Sequence, residues 1–247
     1  MNKITEISIG ADPELFVENK KGEIISAEGM IGGTKNAPKY ITTKEAGHAI
    51  QEDNVMVEFN IPPSLTEDKF VENLDFVEEH LNTLLSLQDN CKLNYSASVD
   101  MDPKFLKTDQ ALMFGCEPDY NVYLQDVNDS PDPNTTLRTA GGHIHIGYKN
   151  PDLEISEYIV CAMDIVLGLP SVSLDKDDRR KEMYGLAGCF RMKDYGLEYR
   201  SLSNFWLENE ESKRWAYRKT MEAIDLVNKG LIVELVKKFG ERTRKAI

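Results

Sequence analysis

The sequence predicts an α+β chain, and three observations carry that expectation. Short segments with two-residue alternation recur between Ile4 and Asn204, a long amphipathic helix begins near Thr66, and the chain from Glu208 onward reads as helix. With 247 residues, 41% apolar and 29% charged, it has the balance of an ordinary globular protein that can bury a core.

The elements follow in order. Ile4 to Glu18 alternates as a strand, Lys20-Lys21-Gly22 makes a turn, and Glu23 to Ala27 returns. Gly29-Met30-Ile31-Gly32-Gly33-Thr34-Lys35 has the composition of a phosphate-cradling loop but lacks the GxxxxGK[ST] order, so a connecting loop is expected. Val55 to Ile61 is a strand, expected to stop at Pro62-Pro63 because proline cannot donate to a ladder. Ser64-Leu65-Thr66-Glu67 has capping-box spacing, and Phe70, Leu74, Val77, Leu81, Leu84 and Leu85 mark the buried face of the helix that follows.

Lys92 to Val99 is a further strand, and Glu117 to Asn134, rich in Asp, Asn and Pro, reads as an exposed loop. Gly141 to Tyr148 is the clearest strand, Leu153 to Leu169 is a largely apolar helix, and Glu198 to Asn204 is a strand. In the helical C-terminus Gly230 and Gly240 are the expected breaks.

A formal net charge of -13 repels nucleic acid and anionic lipid, so neither is an expected partner. It suits carboxylates gathered around divalent cations. Cys91, Cys116, Cys161 and Cys189 are scattered without a CxxC pair, against a zinc ribbon or a disulfide framework, and a reducing cytosol is expected. The N-terminus has no apolar signal region, and the longest apolar run, Tyr158 to Pro170, is interrupted by Asp164 and short for a membrane span.

Strand alternation organises the candidate site. Residues two apart share a face, so Asp12 pairs with Glu14, Glu58 with Asn60, His143 with His145, and Glu198 with Arg200, each opposite apolar neighbours. A solvent-facing sheet is the ordinary explanation for any one such strand. Four together, built from carboxylates, imidazoles and an arginine, point to a divalent-metal face with the oxygen-rich ligands of magnesium or manganese. His48 and His80 look incidental. Arg179, Arg180, Arg191 and Arg200 cluster within an otherwise acidic chain and are natural phosphate clamps.

The ordered set Gly10-x-Asp12-Pro13-Glu14, Glu58-Phe59-Asn60-x-Pro62, Gly141-Gly142-His143-x-His145 and Glu198-x-Arg200-Ser201-Leu202 resembles the phage-type carboxylate-amine ligases, within the glutamine synthetase and glutamate-cysteine ligase superfamily. Gly185-Leu186-Ala187-Gly188-x-x-Arg191 with Tyr195-Gly196 is similar to the same branch. The resemblance implies a single catalytic domain over 1–247, with a curved, largely antiparallel glutamine synthetase-like sheet (strands about 5–206) backed by helices (about 208–247).

It further implies ATP and Mg2+ or Mn2+ as cofactors and amide-bond formation through an acyl phosphate. The substrates implied are a small-molecule or peptide carboxylate and an amine. Asp12, Glu14, Glu58, His143 and Glu198 would be metal ligands, with Asp53 or Glu52 supplying a further one. His143, His145, Arg179, Arg180, Arg191 and Arg200 would face the nucleotide, and Arg191 and Arg200 the transferred phosphoryl group. Asp12 stands where the superfamily carries glutamate. A guanidino-kinase type phosphotransferase, a metal-dependent hydrolase and a non-catalytic scaffold are the competing readings.

Overall fold

The computed structural model describes residues 3–112, 119–128, 135–177 and 179–247, without the side chains of 181 and 182. Its strands are β1 (Ser8–Ala11), β2 (Glu14–Glu18), β3 (Ile24–Ile25), β4 (Lys39–Tyr40), β5 (Ala49–Asp53), β6 (Met56–Ser64), β7 (Lys92–Asn94), β8 (Ser98–Asp100), β9 (Tyr120–Asn121), β10 (Asp126–Val127), β11 (Leu137–Thr139), β12 (Ile144–Gly147), β13 (Cys189–Lys193) and β14 (Gly196–Tyr199). Its α-helices are α1 (Glu67–Ser86), α2 (Asp109–Leu112), α3 (Leu153–Met163), α4 (Leu169–Leu174), α5 (Glu210–Asn228) and α6 (Ile232–Ala246).

The α+β class is as expected. Twelve strands form one sheet along the path β10-β9-β13-β14-β12-β1-β6-β2-β3, with β5 on β6, β4 on β5 and β7 on β2. The described pairings in it are antiparallel, and β8 with β11 makes a separate ribbon. Alternation decides which face goes inward: Ile9, Leu15, Val57, Phe59, Ile144, Ile146, Leu197 and Tyr199 share one core with Phe70, Leu74, Val77 and Leu81 of α1 and with Ile159, Val160 and Met163 of α3. The polar residues between them are left on the other face.

Several boundaries differ from expectation for physical reasons. The first strand breaks at Asp12-Pro13, because β1 and β2 lie end to end along β6. β6 runs through Pro62-Pro63 instead of stopping there: its register against β1 slips between Ile61 and Ser64, so the prolines fall in a bulge where no ladder N–H is needed. Thr66, not Ser64, caps α1, accepting from the Lys69 N–H at 3.3 Å, while Ser64 accepts from Asn73. The segment from Lys92 is two short strands, β7 on β2 and β8 in the ribbon.

The expected exposed loop contains the β9–β10 hairpin, with Asn121 buried, while its residues 117–118 and 129–134, like Cys116, lie outside the described residues. The strand from Glu198 is instead β14, ending at Tyr199 before Ser203 caps a 3-10 turn. Gly230 does end α5, whereas Gly240 is buried inside α6.

The apolar helix is longer than expected. α3, a π-helical segment Asp164–Gly168 and α4 run on as one helix over Leu153–Leu174, 22 residues, long and apolar enough by length and composition to cross a membrane. Here it is a core helix, packed on α5 and α6 and carrying Asp164 fully buried. The buried Asp164 accepts a 2.7 Å hydrogen bond from the Tyr199 hydroxyl.

Candidate active site

Two rows of cross-strand neighbours build the polar face. In the first, Gly10 of β1 opposes His145 of β12, His145 opposes Glu198 of β14, and Glu198 opposes Arg191 of β13. In the second, Glu14 of β2 opposes Glu58 of β6, which opposes Gln51 of β5. Directly opposed residues in an antiparallel sheet project side by side, so each row is a contiguous strip of side chains.

The segment before β12 joins the rows. The backbone N–H of Glu14 donates to the Gly141 carbonyl at 2.9 Å, and Glu14 Oε2 accepts from the Gly141 N–H at 2.6 Å. The two glycines are steric requirements. A Cβ on Gly141 would lie 2.3 Å from Nε2 of His143, and one on Gly142 would lie 2.2 Å from the Ser203 carbonyl oxygen. Trp206, fully buried, fixes the turn by donating from Nε1 to the Gly142 carbonyl at 3.1 Å.

Around the first row, Asp12 Oδ1 lies 2.9 Å from His145 Nε2 and 3.4 Å from His143 Nδ1. Glu198 is 1% exposed, with Lys193 Nζ at 2.7 Å, His143 Nδ1 at 3.5 Å and Arg191 Nη1 at 3.7 Å, and it pairs directly with Arg200. Arg200 also binds Asp119, whose Oδ1 is 2.6 Å from Nε. Burial opposes ionisation of Asp12, but His145 and His143 outweigh it and hold the carboxyl well below the usual range. Burial and the Asp12 charge likewise oppose ionisation of Glu198, and Arg200, His143 and His145 overcome them to hold it at about 2.

Around the second row the balance is opposite. Burial, then the charges of Asp12, Glu14 and Asp53, push Glu58 well above an ordinary glutamate, although Gln51 donates to its Oε2 at 2.8 Å. Burial and Glu14 raise Asp53 as well. Glu14, Asp53, Glu58, Asp12, His143, Arg191, Glu198 and Arg200 all line one cleft of about 430 Å3.

The structure therefore brings together Asp12, Glu14, Glu58, His143, His145, Arg191, Glu198 and Arg200. Asp53 joins them, while Glu52 turns away, accepting from the backbone N–H groups of Gly29, Ile31 and Gly32 at 2.8, 2.9 and 2.7 Å. That use of Glu52 explains why the glycine-rich segment is a tethered connecting loop: three of its donors are already occupied. Arg179 does not reach the cleft. It is held by Asp100 at 3.0 Å and by Asp177 at the rim of the ribbon. Arg180 is buried beside Arg200 and lines a smaller adjoining cavity. His48 faces α1 through Asn73 and Phe76.

Asp119, Lys193 and Gln51 are site residues that alternation analysis left out. Lys193 was recoverable, standing two residues from Arg191 on the same strand face, whereas Asp119 sits in a stretch whose composition reads only as loop.

Asp12, His145 and Glu198 offer ligand atoms that lie within 4.8 Å of one another, a spacing that fits one metal ion. The sequence comparison falls on the same strands. Residues 135–227 match the family described as phage phiEco32-like COOH.NH2 ligase-type 2. The matched segment carries His143, His145, Arg191, Glu198 and Arg200, while Asp12, Glu14 and Glu58 precede it.

No curated protein matches the chain. Among solved structures it is similar to one titled "Apo GmaS without ligand", at 12% identity and TM-score 0.49 over 89% of this chain and 54% of that one. It is similar to "GmaS/ADP complex-Conformation 1" at 12% identity and TM-score 0.47, covering 89% and 55%. A "novel glutamine synthase homolog" matches at 11% identity and TM-score 0.41, covering 91% and 56%. The chain thus spans about half the length of these structures.

Proposed function

We propose that the chain is an ATP-dependent ligase that activates a carboxylate as an acyl phosphate and passes it to an amine, with Mg2+ or Mn2+ bound on the sheet face. The observation that carries this reading is the meeting of two carboxylate groups, Asp12 with Glu198 and Glu14 with Glu58 and Asp53, on either side of His143 under Arg191 and Arg200. The COOH.NH2 ligase match over residues 135–227 supports it.

The residues fit divalent cations. Asp12 Oδ1 and Glu198 Oε2 are buried oxygens directed at His145 and at Lys193, next to each other's charge, and the repulsion that raises Glu58 is what a cation would relieve. Asp12, His143, His145 and Glu198 would hold one ion, and Glu14, Glu58 and Asp53 a second. Bound there, the ions would neutralise phosphate charge during transfer.

The chain's own groups do the rest. Arg191, Lys193 and Arg200 stand over the cleft as donors for the transferring phosphoryl oxygens. Transfer breaks the bond between the γ-phosphorus and the ADP oxygen and forms one to a carboxylate oxygen. The amine nitrogen then attacks the acyl carbon, the bond from that carbon to the phosphate oxygen breaks, and inorganic phosphate leaves with the proton that the nitrogen releases. A cavity of about 320 Å3 beyond His145, floored by Gly10 and Gly147 and walled by Ile61, Pro63 and Tyr195, has the apolar lining that suits a nucleobase.

The test is ADP release with Mg2+ and ATP over pooled carboxylic acids and amines, comparing wild type with Glu198→Ala and Arg200→Ala. ADP formation that needs both an acid and an amine and is lost in both variants is the expected result. A stable phosphorylated product would favour a phosphotransferase, and metal-dependent hydrolysis without nucleotide a hydrolase. Activity in the reducing cytoplasm, of a host cell if the gene is phage-borne, is part of the same proposal.

A further inference from the structure

Asp164 is a buried carboxylate that the chemistry above leaves unused. It opens the π-helical segment Asp164–Gly168 of the core helix, on the apolar side of the sheet. Among the described residues it forms no ion pair, and its partners are hydroxyls and a backbone N–H. Burying an ionisable group without a counter-ion is costly, and nothing in the packing of an apolar helix calls for one. Helical segments of the π kind gather at functional sites.

The partners of Asp164 come from the three segments that carry the arginine network of the cleft. Tyr199, the last residue of β14, donates to Oδ1 at 2.7 Å. The Ser201 hydroxyl, which donates to the Leu186 carbonyl at 2.9 Å, lies 3.5 Å from the same oxygen. Glu198 and Arg200 alternate with these two residues and so project from the opposite face. The Gly188 N–H, one residue before β13, and the Tyr123 hydroxyl, in the β9–β10 turn, also favour the ionised carboxyl. Those two segments deliver Arg191 and Asp119, and the Arg200 N–H donates to the Cys189 carbonyl, next to Gly188, at 3.0 Å.

Two glycines make room for these contacts. A Cβ on Gly168 would lie 2.9 Å from the Tyr199 hydroxyl, and one on Gly188, at φ +83°, would lie 2.7 Å from the Tyr123 ring. The geometry points to Asp164 as a positioning residue: from behind the sheet it anchors Tyr199, Ser201, Gly188 and Tyr123, and thereby sets the orientation of Arg200 and its partner Asp119 over the cleft. What Arg200 then does to the transferring phosphoryl group rests on the ligase reading. A buried charge retained at a cost in stability is a feature of sites whose geometry must be fixed.

Asp164→Asn keeps the shape but replaces one acceptor oxygen by a donor, which opposes the donors facing it, and Tyr199→Phe removes a single hydroxyl. The probes are the Arg200 Nε–H signal in proton–nitrogen NMR, assigned with Arg200→Lys, and ADP release from Mg2+ and ATP with the acid and amine that the pooled assay identifies. At pH 8 both variants should shift the Arg200 signal and speed its hydrogen exchange roughly tenfold. The buried Arg138 Nε–H, which donates to Asn54 at 3.1 Å, should stay unmoved. The kcat should fall roughly 10- to 100-fold with KM for ATP within about twofold, the pattern of a misplaced group that acts in the transition state. The urea midpoint of Asp164→Asn at pH 8 should not fall below that of wild type.

An Arg200 signal that does not move in Asp164→Asn overturns the proposal. A fall in kcat that accompanies a lower urea midpoint, with the Arg200 signal unmoved, assigns Asp164 to holding the core and overturns it too. No ADP release by the wild type with any acid and amine, while both variants still move the Arg200 signal, overturns the ligase reading and supports the anchor.

Discussion

Tyr195 and Asp12 grip His145 from opposite sides: the tyrosine hydroxyl meets Nδ1 and the Asp12 carboxylate meets Nε2 at 2.9 Å. The Tyr195 ring also stacks on the imidazole, with centroids 5.9 Å apart. A partner on each nitrogen fixes the ring's orientation, which is how groups behind a metal-binding histidine set its geometry. Tyr195→Phe keeps the stacking and removes the hydroxyl. It should weaken Mn2+ binding and slow ADP release by roughly tenfold, and unchanged Mn2+ affinity by calorimetry would count against His145 as a ligand.

Glu58 faces Asp12, Glu14 and Asp53, and their charges together with burial disfavour its ionised form. Glu58→Gln removes one of the mutually repelling carboxylates while keeping shape and the contact with Gln51. In EDTA it should stabilise the fold by about 1 kcal/mol, because function and stability make opposite demands on such a cluster. With Mn2+ present the order should reverse, wild type melting higher. Melting curves in the two conditions decide the point.

Asp164 is buried in the π-helical segment, and burial pushes its carboxyl up to about 7 despite the Tyr199 hydrogen bond. Below about pH 4 the group is neutral in both folded and unfolded chains. Between about pH 4 and pH 7 only the unfolded chain ionises it, so its contribution to stability falls as pH rises, and the loss is complete above the folded value. The full span corresponds to about 4 kcal/mol. Other carboxylates, such as Glu198 at about 2, act oppositely on acidification, so the contrast with Asp164→Asn is the measurement. Urea unfolding at pH 5 and pH 8 should favour the variant more at pH 8.

Glu52 holds the Gly29–Gly32 loop through three backbone N–H groups. Glu52→Ala should destabilise the protein by about 2 kcal/mol, since hydrogen bonds to a charged acceptor are the stronger kind. Because Glu52 points away from the cleft, Mn2+ affinity should hold, whereas Asp53→Ala should weaken it. Parallel loss of metal in both variants would place Glu52 among the ligands.

Arg179 and Arg191 separate the arginine cluster into structural and site members. Arg179→Ala should leave ADP release within about twofold of wild type, since its partners Asp100 and Asp177 lie on the rim. Arg191→Ala, in the cleft with Asp119 and Glu198, should lower it by roughly 100-fold.

Most of the candidate site was legible because alternation is a local rule. Once Ile144 and Ile146 are buried, His145 must take the other face, and the same holds for Glu198 between Leu197 and Tyr199. The sequence by itself therefore determined the α+β class, the polar strand faces and most of the residues that meet on them.

Tertiary structure decided what no local rule reaches. Register set Glu14 against Glu58 and His145 against Glu198, choosing which faces form one surface. Alternation puts the adjacent acids Glu52 and Asp53 of β5 on opposite faces, and the register of β5 on β6 decided which one meets the cleft: Asp53, beside Gln51, while Glu52 meets the glycine-rich loop. Asp119 entered through a short hairpin pairing on β13, which its Asp- and Asn-rich surroundings concealed. Among the four arginines the packing of two turns settled the roles, because a guanidinium is defined by the anion that the rest of the chain places, or fails to place, beside it.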